Sequence, residues 1–239
     1  MNLILDFGNT RVKAALFKEH NLLHAKGYAN AEEFVKDLSF FAEAKSCMIG
    51  SVTSAHENII EALNKKIKVH HFSAKTPLPI KNLYKSASTL GSDRIAASVG
   101  AFSIYPNKNV LCIDAGTCLK FNFTNSNNEY LGGAISSGLQ LRFKALHDYT
   151  HRLPKVKPDE NFNKLIGTST EESILSGVIN GIIYETDGVI DAYKKNYPDL
   201  VVAFTGGDAD FFAKRLKNGI FTQPNLVLTG LNEILIYNS

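Results

Sequence analysis

One short pattern occurs twice in this chain, and it constrains the fold more than any other feature of the sequence. In each copy an apolar run ends at an aspartate, and a glycine and a threonine follow: Leu3-Ile4-Leu5-Asp6-Phe7-Gly8-Asn9-Thr10 and Leu111-Cys112-Ile113-Asp114-Ala115-Gly116-Thr117. The two aspartates are 108 residues apart in a chain of 239. A repeat at this spacing indicates an internal duplication. We therefore predict two similar domains, 1–107 and 108–239.

Hydrophobic patterning predicts alternating strands and helices in both halves. Apolar or alternating runs predict strands over 2–5, 12–17, 22–28, 47–52, 68–72, 110–113, 119–123, 130–135 and 200–204. Amphipathic or apolar-rich stretches predict helices over 31–44, 57–65, 94–102, 138–147, 170–193, 209–216 and 231–237. This mixture predicts an α/β protein.

Composition excludes several classes of protein. With 44% apolar and 21% charged residues, the chain does not fit general disorder, collagen or a coiled coil. A net charge of +3 without a basic stripe argues against a nucleic-acid surface. The seven His and three Cys lack metal-binding spacing, and the Cys lie in apolar stretches, as buried thiols do. We expect a cytoplasmic protein with neither a membrane nor a nucleic-acid partner.

The turn after the first strand has the composition of a phosphate-binding loop. A glycine turn exposes backbone N–H groups, Thr10 adds a hydroxyl, and Asp6 at the strand end could hold a hydrated magnesium ion. An ordinary Gly-Asn hairpin would explain the same residues. The second copy at 114–117 favours two loops around one nucleotide, an arrangement suited to phosphoryl transfer.

Two further segments place glycine and acidic residues at helix starts. Thr205-Gly206-Gly207-Asp208 lies between a strand and a helix, where the helix N-terminus favours an anion, although Asp208 could simply cap the helix. Gly91-Ser92-Asp93-Arg94 could also be only a cap. A kinase, however, needs a carboxylate that accepts the proton of the attacking hydroxyl and a cation that holds an anionic acceptor, and Asp93 and Arg94 could supply both.

Taken together, these motifs resemble those of type III pantothenate kinases. Five segments occur in the family's order and approximate spacing: Asp6 to Thr10, Leu90 to Arg94, Asp114 to Thr117, Gly132 to Gly138 and Thr205 to Gly207. The resemblance implies two duplicated ribonuclease-H-like (actin-like ATPase) domains, each a mixed five-stranded sheet flanked by helices, with an ATP cleft between them. It also implies ATP-dependent phosphorylation of pantothenate to 4'-phosphopantothenate, the first step of coenzyme A biosynthesis.

The resemblance implies a role for each site residue. Asp93 is similar to the general base. The residues similar to ATP-binding positions are Asp6, Phe7, Gly8, Asn9, Thr10, Arg11, Val12, Lys13 and Thr117. Those similar to pantothenate-binding positions are Tyr84, Gly91, Ser92, Asp93, Arg94 and Thr170, the last from the neighbouring subunit of a homodimer. Asp6 would lie near magnesium, and Asp114 matches a position that holds a monovalent cation, potassium or ammonium.

Two other functions are compatible with the same residues. A regulatory or accessory protein would keep the nucleotide cleft without catalysis, but a decayed site usually loses an acid, and Asp6, Asp93 and Asp114 are all present. A sugar kinase or an exopolyphosphatase would keep the superfamily and change the substrate, but sugar kinases typically carry extra acceptor-binding segments and this chain is short. The helix predicted over 170–193 has more apolar positions than one buried face needs, which fits a dimer interface or a deep core position.

Overall fold

The computed structural model describes residues 1–8, 11–50 and 57–239 of the protein. The strands are β1 (Asn2–Phe7), β2 (Val12–Lys18), β3 (Asn21–Tyr28), β4 (Ser46–Ile49), β5 (Lys68–His71), β6 (Lys81–Asn82), β7 (Val110–Ala115), β8 (Cys118–Thr124), β9 (Glu129–Ser137), β10 (Val201–Thr205) and β11 (Phe221–Thr222). The helices are α1 (Ala31–Lys36), α2 (Glu57–Asn64), α3 (Ser92–Ile104), α4 (Leu139–Asp148), α5 (Thr170–Asn196), α6 (Ala209–Ala213) and α7 (Leu226–Tyr237).

The first sheet is mixed and has the strand order β3-β2-β1-β4-β5. Strand β1 pairs antiparallel with β2 and parallel with β4, which pairs parallel with β5. Leu3 and Leu5 belong to one apolar cluster, whereas Ile4 belongs to another that includes Ile95 and Leu231. Since alternate side chains of a strand point to opposite faces, both faces of this sheet are covered, which explains the continuous apolar run in β1.

The second sheet has the order β11-β10-β7-β8-β9-β6. Five of its strands, taken in the order β9-β8-β7-β10-β11, correspond to the order β3-β2-β1-β4-β5 of the first sheet. The prediction of five strands was wrong here, because β6 pairs in parallel with the start of β9. The amides of Lys81 and Leu83 donate to the carbonyl oxygens of Asn128 and Tyr130, both at 2.9 Å. Main-chain groups make this pairing, so the hydrophobic pattern of the sequence does not predict strand β6.

Contacts divide the chain into two compact units. The first contains Met1–Asn107, Thr124–Gly132 and Asn225–Ser239, and the second contains Lys108–Phe123 and Gly133–Pro224. The C-terminal segment joins the first unit because α7 packs on α3 with little space between the backbones. A Cβ atom at Gly230 would lie 1.7 Å from the carbonyl oxygen of Ala96. The division into duplicated domains at 107/108 stays a prediction.

The largest differences in helix length from the predictions are at α1 and α7. Instead of one helix over 31–44, α1 ends at Lys36 and a 3₁₀ turn follows at Leu38–Phe41. Asp37 interrupts the helix, since its carboxylate accepts hydrogen bonds from Lys26 (2.7 Å) and Tyr28 (2.8 Å) of β3. Helix α7 begins at Leu226 rather than at 231. Within the described residues, no helix is long and apolar enough to cross a membrane.

Candidate active site

The first predicted phosphate loop joins β1 to β2. The amide of Gly8 donates to the carbonyl oxygen of Arg11 at 3.0 Å, which closes the turn. Asp6 lies opposite Lys13 in the β1–β2 register, and both are partly buried. A carboxylate and an ammonium group therefore occupy the end of this hairpin, where magnesium and phosphate would each find a charge of opposite sign.

The other residues predicted for this loop differ in what they can offer a ligand. The side chains of Phe7 and Val12 are buried in the core of the first unit, so only their backbones could contact a nucleotide. Arg11 is exposed. Asn9 and Thr10 lie outside the described residues.

The second loop connects β7 to β8 through Gly116 and Thr117, a two-residue connection that requires antiparallel strands. Two other glycine motifs converge on it. The amide of Gly138 donates to the carbonyl oxygen of Thr117 at 3.0 Å. Gly206, at φ +99°, packs against Ala115 so tightly that a Cβ atom would lie 2.2 Å from the Ala115 carbonyl oxygen. Three segments that are distant in sequence thus meet at this loop, where Thr117 is exposed.

Asp114, the predicted cation-binding carboxylate, has a basic partner that the sequence did not reveal. The ammonium group of Lys120 donates to Asp114 Oδ2 at 2.7 Å. The side chain of Asp114 is only 14% exposed and that of Lys120 only 18%. The donor set at this oxygen does not fit a monovalent cation, because a positive charge from the chain already lies there. The sequence signal that could have indicated this pair is Lys120 itself, a charged residue within the mostly apolar strand β8.

The predicted acceptor motif begins α3. Gly91 is the N-cap residue and Ser92 the first helical residue, and Asp93 Oδ1 accepts a hydrogen bond from the amide of Arg94 at 2.8 Å. The guanidinium of Arg94, 5% exposed, lies over the ring of Tyr84 at 5.4 Å. The structure therefore brings Tyr84 to the Gly-Ser-Asp-Arg motif through a cation–π contact, an arrangement that orients the guanidinium plane.

A cavity of about 260 Å³ lies beside this motif in the first unit. Ser92 and Leu90 line it, together with Gly50 and Asn82, which sequence reasoning missed. Asn82 Oδ1 accepts from the amide of Tyr84 at 3.0 Å, so the same residue also fixes the backbone before the aromatic ring. The cavity is small and partly polar in its lining, as suits a compact acceptor.

A larger cavity of about 940 Å³ lies in the second unit, where Gly207 and Asp208 form part of its wall. Its lining contains four lysines (Lys144, Lys155, Lys157 and Lys214) and four carboxylates (Asp148, Glu160, Asp208 and Asp210). Burial, and then the nearby Glu160 carboxylate, raise the pKa of Asp208. Asp208 is the N-cap residue of α6, yet its side chain makes no capping hydrogen bond. The cavity is large enough for a nucleotide, whose phosphate oxygens its lysines could bind.

Thr170 is the first residue of α5 and is exposed. It belongs to the second unit, whereas Tyr84, Asp93 and Arg94 belong to the first. With Gly177 it lines a cavity of about 770 Å³ between α4 and α5. In the described part of the chain, no group of three or more His, Cys, Asp or Glu side chains could hold a metal. Magnesium does not need one, since it often binds one or two carboxylates plus substrate phosphates.

Solved structures share the fold of this chain. A ROK family glucokinase from Streptomyces griseus, solved with glucose and AMPPNP, matches with a TM-score of 0.54 at 12% identity, covering 98% of each chain. A Campylobacter jejuni protein described as a Baf family transcriptional activator matches with a TM-score of 0.61 at 20% identity, covering 99% of this chain and 98% of that one. The predicted fold class, the actin-like ATPase fold, is confirmed.

Sequence comparison narrows the class. The family model for type III pantothenate kinases matches residues 2–192. The type III pantothenate kinase of Christiangramia forsetii is 44% identical over 241 residues, covering 100% of this chain and 99% of the relative. That of Bacteroides fragilis is 42% identical over 241 residues, with the same coverage. The chain belongs to the type III pantothenate kinase family.

Proposed function

We propose that this chain transfers the γ-phosphoryl group of ATP to the primary hydroxyl of pantothenate, the first step of coenzyme A biosynthesis. Membership of the family supports the reaction. One local observation supports the assignment of residues: the start of α3 presents Asp93 next to Arg94, whose guanidinium lies on Tyr84. A base and an anion-binding group are thus held side by side.

Arg94 is suited to bind the carboxylate of pantothenate. A guanidinium donates two parallel hydrogen bonds to a carboxylate, and burial strengthens them because water competes less. The Tyr84 ring limits the orientations that the Arg94 side chain can take. Ser92, in the wall of the adjacent cavity, adds a hydroxyl that can hydrogen-bond the polar backbone of the substrate.

Asp93 acts as the general base. It accepts the proton of the primary hydroxyl as that oxygen forms a bond to the γ-phosphorus of ATP. The bond between the γ-phosphorus and the bridging oxygen breaks, and its electron pair leaves on ADP. Protein groups contribute here chiefly by positioning and by neutralising charge, because the phosphoryl group passes through a loose transition state.

The two loops and the large cavity of the second unit are suited to ATP and magnesium. Lys13 and the backbone of the first loop would face phosphate oxygens, and Thr117 would add a hydroxyl from the second loop. The cavity beside Gly207 would receive the remainder of the nucleotide. Asp6 would hold magnesium, which when bound neutralises charge on the transferring phosphate.

A homodimer is the proposed assembly, and the cytoplasm is the proposed location. Thr170 and the exposed Tyr149, 88% accessible, line the same largely apolar cavity. A neighbouring subunit would cover these residues and would place Thr170 beside pantothenate bound to the other copy. Sedimentation velocity tests this directly: we expect a dimer that Tyr149→Glu converts to monomer, and a monomeric wild-type protein contradicts it.

The Asp93→Asn variant tests the proposed function. The amide keeps the shape of the side chain but cannot accept a proton, so kcat with pantothenate should fall by about 10²–10⁴-fold. ATP binding, measured by calorimetry, should be unchanged. Glu43→Gln, which neutralises an exposed carboxylate of the same unit, is the matched control and should keep full activity. Full activity of Asp93→Asn rejects the base assignment, and a wild-type protein that binds ATP without phosphorylating pantothenate rejects the function.

A further inference from the structure

The contact between Asp114 and Lys120 joins the end of β7 to β8. Lys120 follows Asp114 by six residues across the Gly116-Thr117 connection, and its ammonium group lies 2.7 Å from Asp114 Oδ2. Its neighbours Leu119 and Phe121 are buried in the core of the second unit. Because side chains alternate along a strand, Lys120 points to the opposite face, where Asp114 lies.

This ammonium group has the properties of the ion that the resemblance implies at Asp114. It carries one positive charge, as potassium and ammonium do, and it offers three N–H donors. Its distance to the carboxylate is that of a charge-assisted hydrogen bond. Both side chains are mostly buried, so salt screens the pair weakly. A free cation at the same oxygen would be repelled by the lysine.

We propose that the Lys120 ammonium group takes the place of a monovalent cation at Asp114, so that phosphoryl transfer needs no added potassium or ammonium. The inference rests on the proposed function, since it concerns the charge beside the second phosphate loop. A covalently tethered cation remains at the carboxylate whatever the ionic composition of the solution. Lys120 compensates charge and positions the carboxylate, and no contact with substrate is assigned to it.

Activity in different salts gives the first test. With ATP, magnesium and pantothenate, wild-type rates in choline, sodium, potassium and ammonium chloride at equal ionic strength should agree within about twofold. Lys120→Ala should lose about tenfold or more in choline, and ammonium or methylammonium should restore the rate by entering the vacated space. Lys195→Ala, at an exposed lysine of α5, is the control and should behave as wild type. Strong activation of the wild type by potassium, or a Lys120→Ala defect that no cation relieves, overturns the inference.

Binding gives a second test that does not depend on turnover. Thallous ion reports on potassium sites by thallium NMR. We expect no saturable thallous site in the wild type and one in Lys120→Ala. A saturable wild-type site that Asp114→Asn removes overturns the inference. A wild-type protein that is inactive in every salt contradicts the proposed function instead, and it leaves the thallous measurement valid.

Discussion

Gly206 and Ala115 approach so closely that a Cβ atom at position 206 would lie 2.2 Å from the carbonyl oxygen of Ala115. The amide of Asp208 donates to that same carbonyl oxygen at 3.1 Å. The backbone after β10 therefore packs against and hydrogen-bonds to the end of β7, next to the second phosphate loop. Only a residue without a side chain fits between the two.

Replacing Gly206 with alanine should destabilise the protein. The residue has φ +99°, which L side chains rarely adopt, and the new methyl group would overlap backbone atoms. We expect the free energy of unfolding to fall by about 2–4 kcal/mol in urea denaturation. Gly207→Ala is the matched control, because nothing lies within 4 Å of its Cβ position, and it should change stability by less than about 0.5 kcal/mol. Equal losses in the two variants contradict this explanation.

A second glycine tests the packing of α7 on α3. In Gly230→Ala the methyl group would lie 1.7 Å from the carbonyl oxygen of Ala96, so the helices must separate. We expect a loss of about 3 kcal/mol or more in the free energy of unfolding. Gly181→Ala in α5 has open space and should instead stabilise the protein by up to about 1 kcal/mol. Thermal and urea denaturation both measure the difference, and a neutral Gly230→Ala would be inconsistent with this packing.

Arg94→Lys should weaken the binding of pantothenate specifically. Lysine keeps the charge but loses the planar pair of donors and the stacking on Tyr84, so KM for pantothenate should rise about tenfold or more. KM for ATP should stay within about twofold, because the nucleotide has its own binding residues. Arg152→Lys, at an exposed arginine, is the control. An equal rise in both KM values would show that the substitution disturbs the fold rather than the acceptor pocket.

Glu172 makes stability depend on pH. Hydrogen bonds from Lys164 and from the backbone and side chain of Thr168 lower its pKa to about 2. Because the folded-state pKa lies below the unfolded one, the carboxylate stabilises the fold above pH about 4.5, and this contribution is lost as pH falls towards 2. Glu172→Gln should therefore unfold at a lower urea concentration than wild type at pH 7, and the two should converge in acid.

Glu171→Gln is the control for that comparison, since Glu171 is exposed in the same first turn of α5. The negative charge of either glutamate stabilises the N-terminus of the helix. Only Glu172 also accepts hydrogen bonds from Lys164 and Thr168. The Glu171 variant should show a much smaller change at pH 7. Parallel pH profiles for the two variants would contradict the role given to the hydrogen bonds.

The sequence predicted the parts of the fold that local patterns determine. Strand β1 follows from its apolar run, and α5 follows from a long apolar-rich stretch. The repeated aspartate turn anticipated the repeated strand order of the two sheets. Membership of the family confirms the resemblance on which the site residues were predicted, and their individual roles stay predictions.

Features that depend on how segments pack in three dimensions, rather than on a local pattern, were not predictable. Strand β6 has two residues and is defined by main-chain bonds to β9. The pairing of Lys120 with Asp114 requires the register of a hairpin and the burial around it. The closeness of Tyr84 to Arg94 depends on how the segment before α3 folds back, which no periodicity encodes.

The position of α7 has a consequence for synthesis of the protein. Leu231, Ile234 and Leu235 lie in the same apolar cluster as Ile4 of the first strand, so the core of the first unit draws on both ends of the chain. Until residues 226–237 have left the ribosome, one face of the N-terminal sheet lacks one of its covering helices. The first unit to be translated is therefore the last to be completed, the reverse of the usual vectorial order.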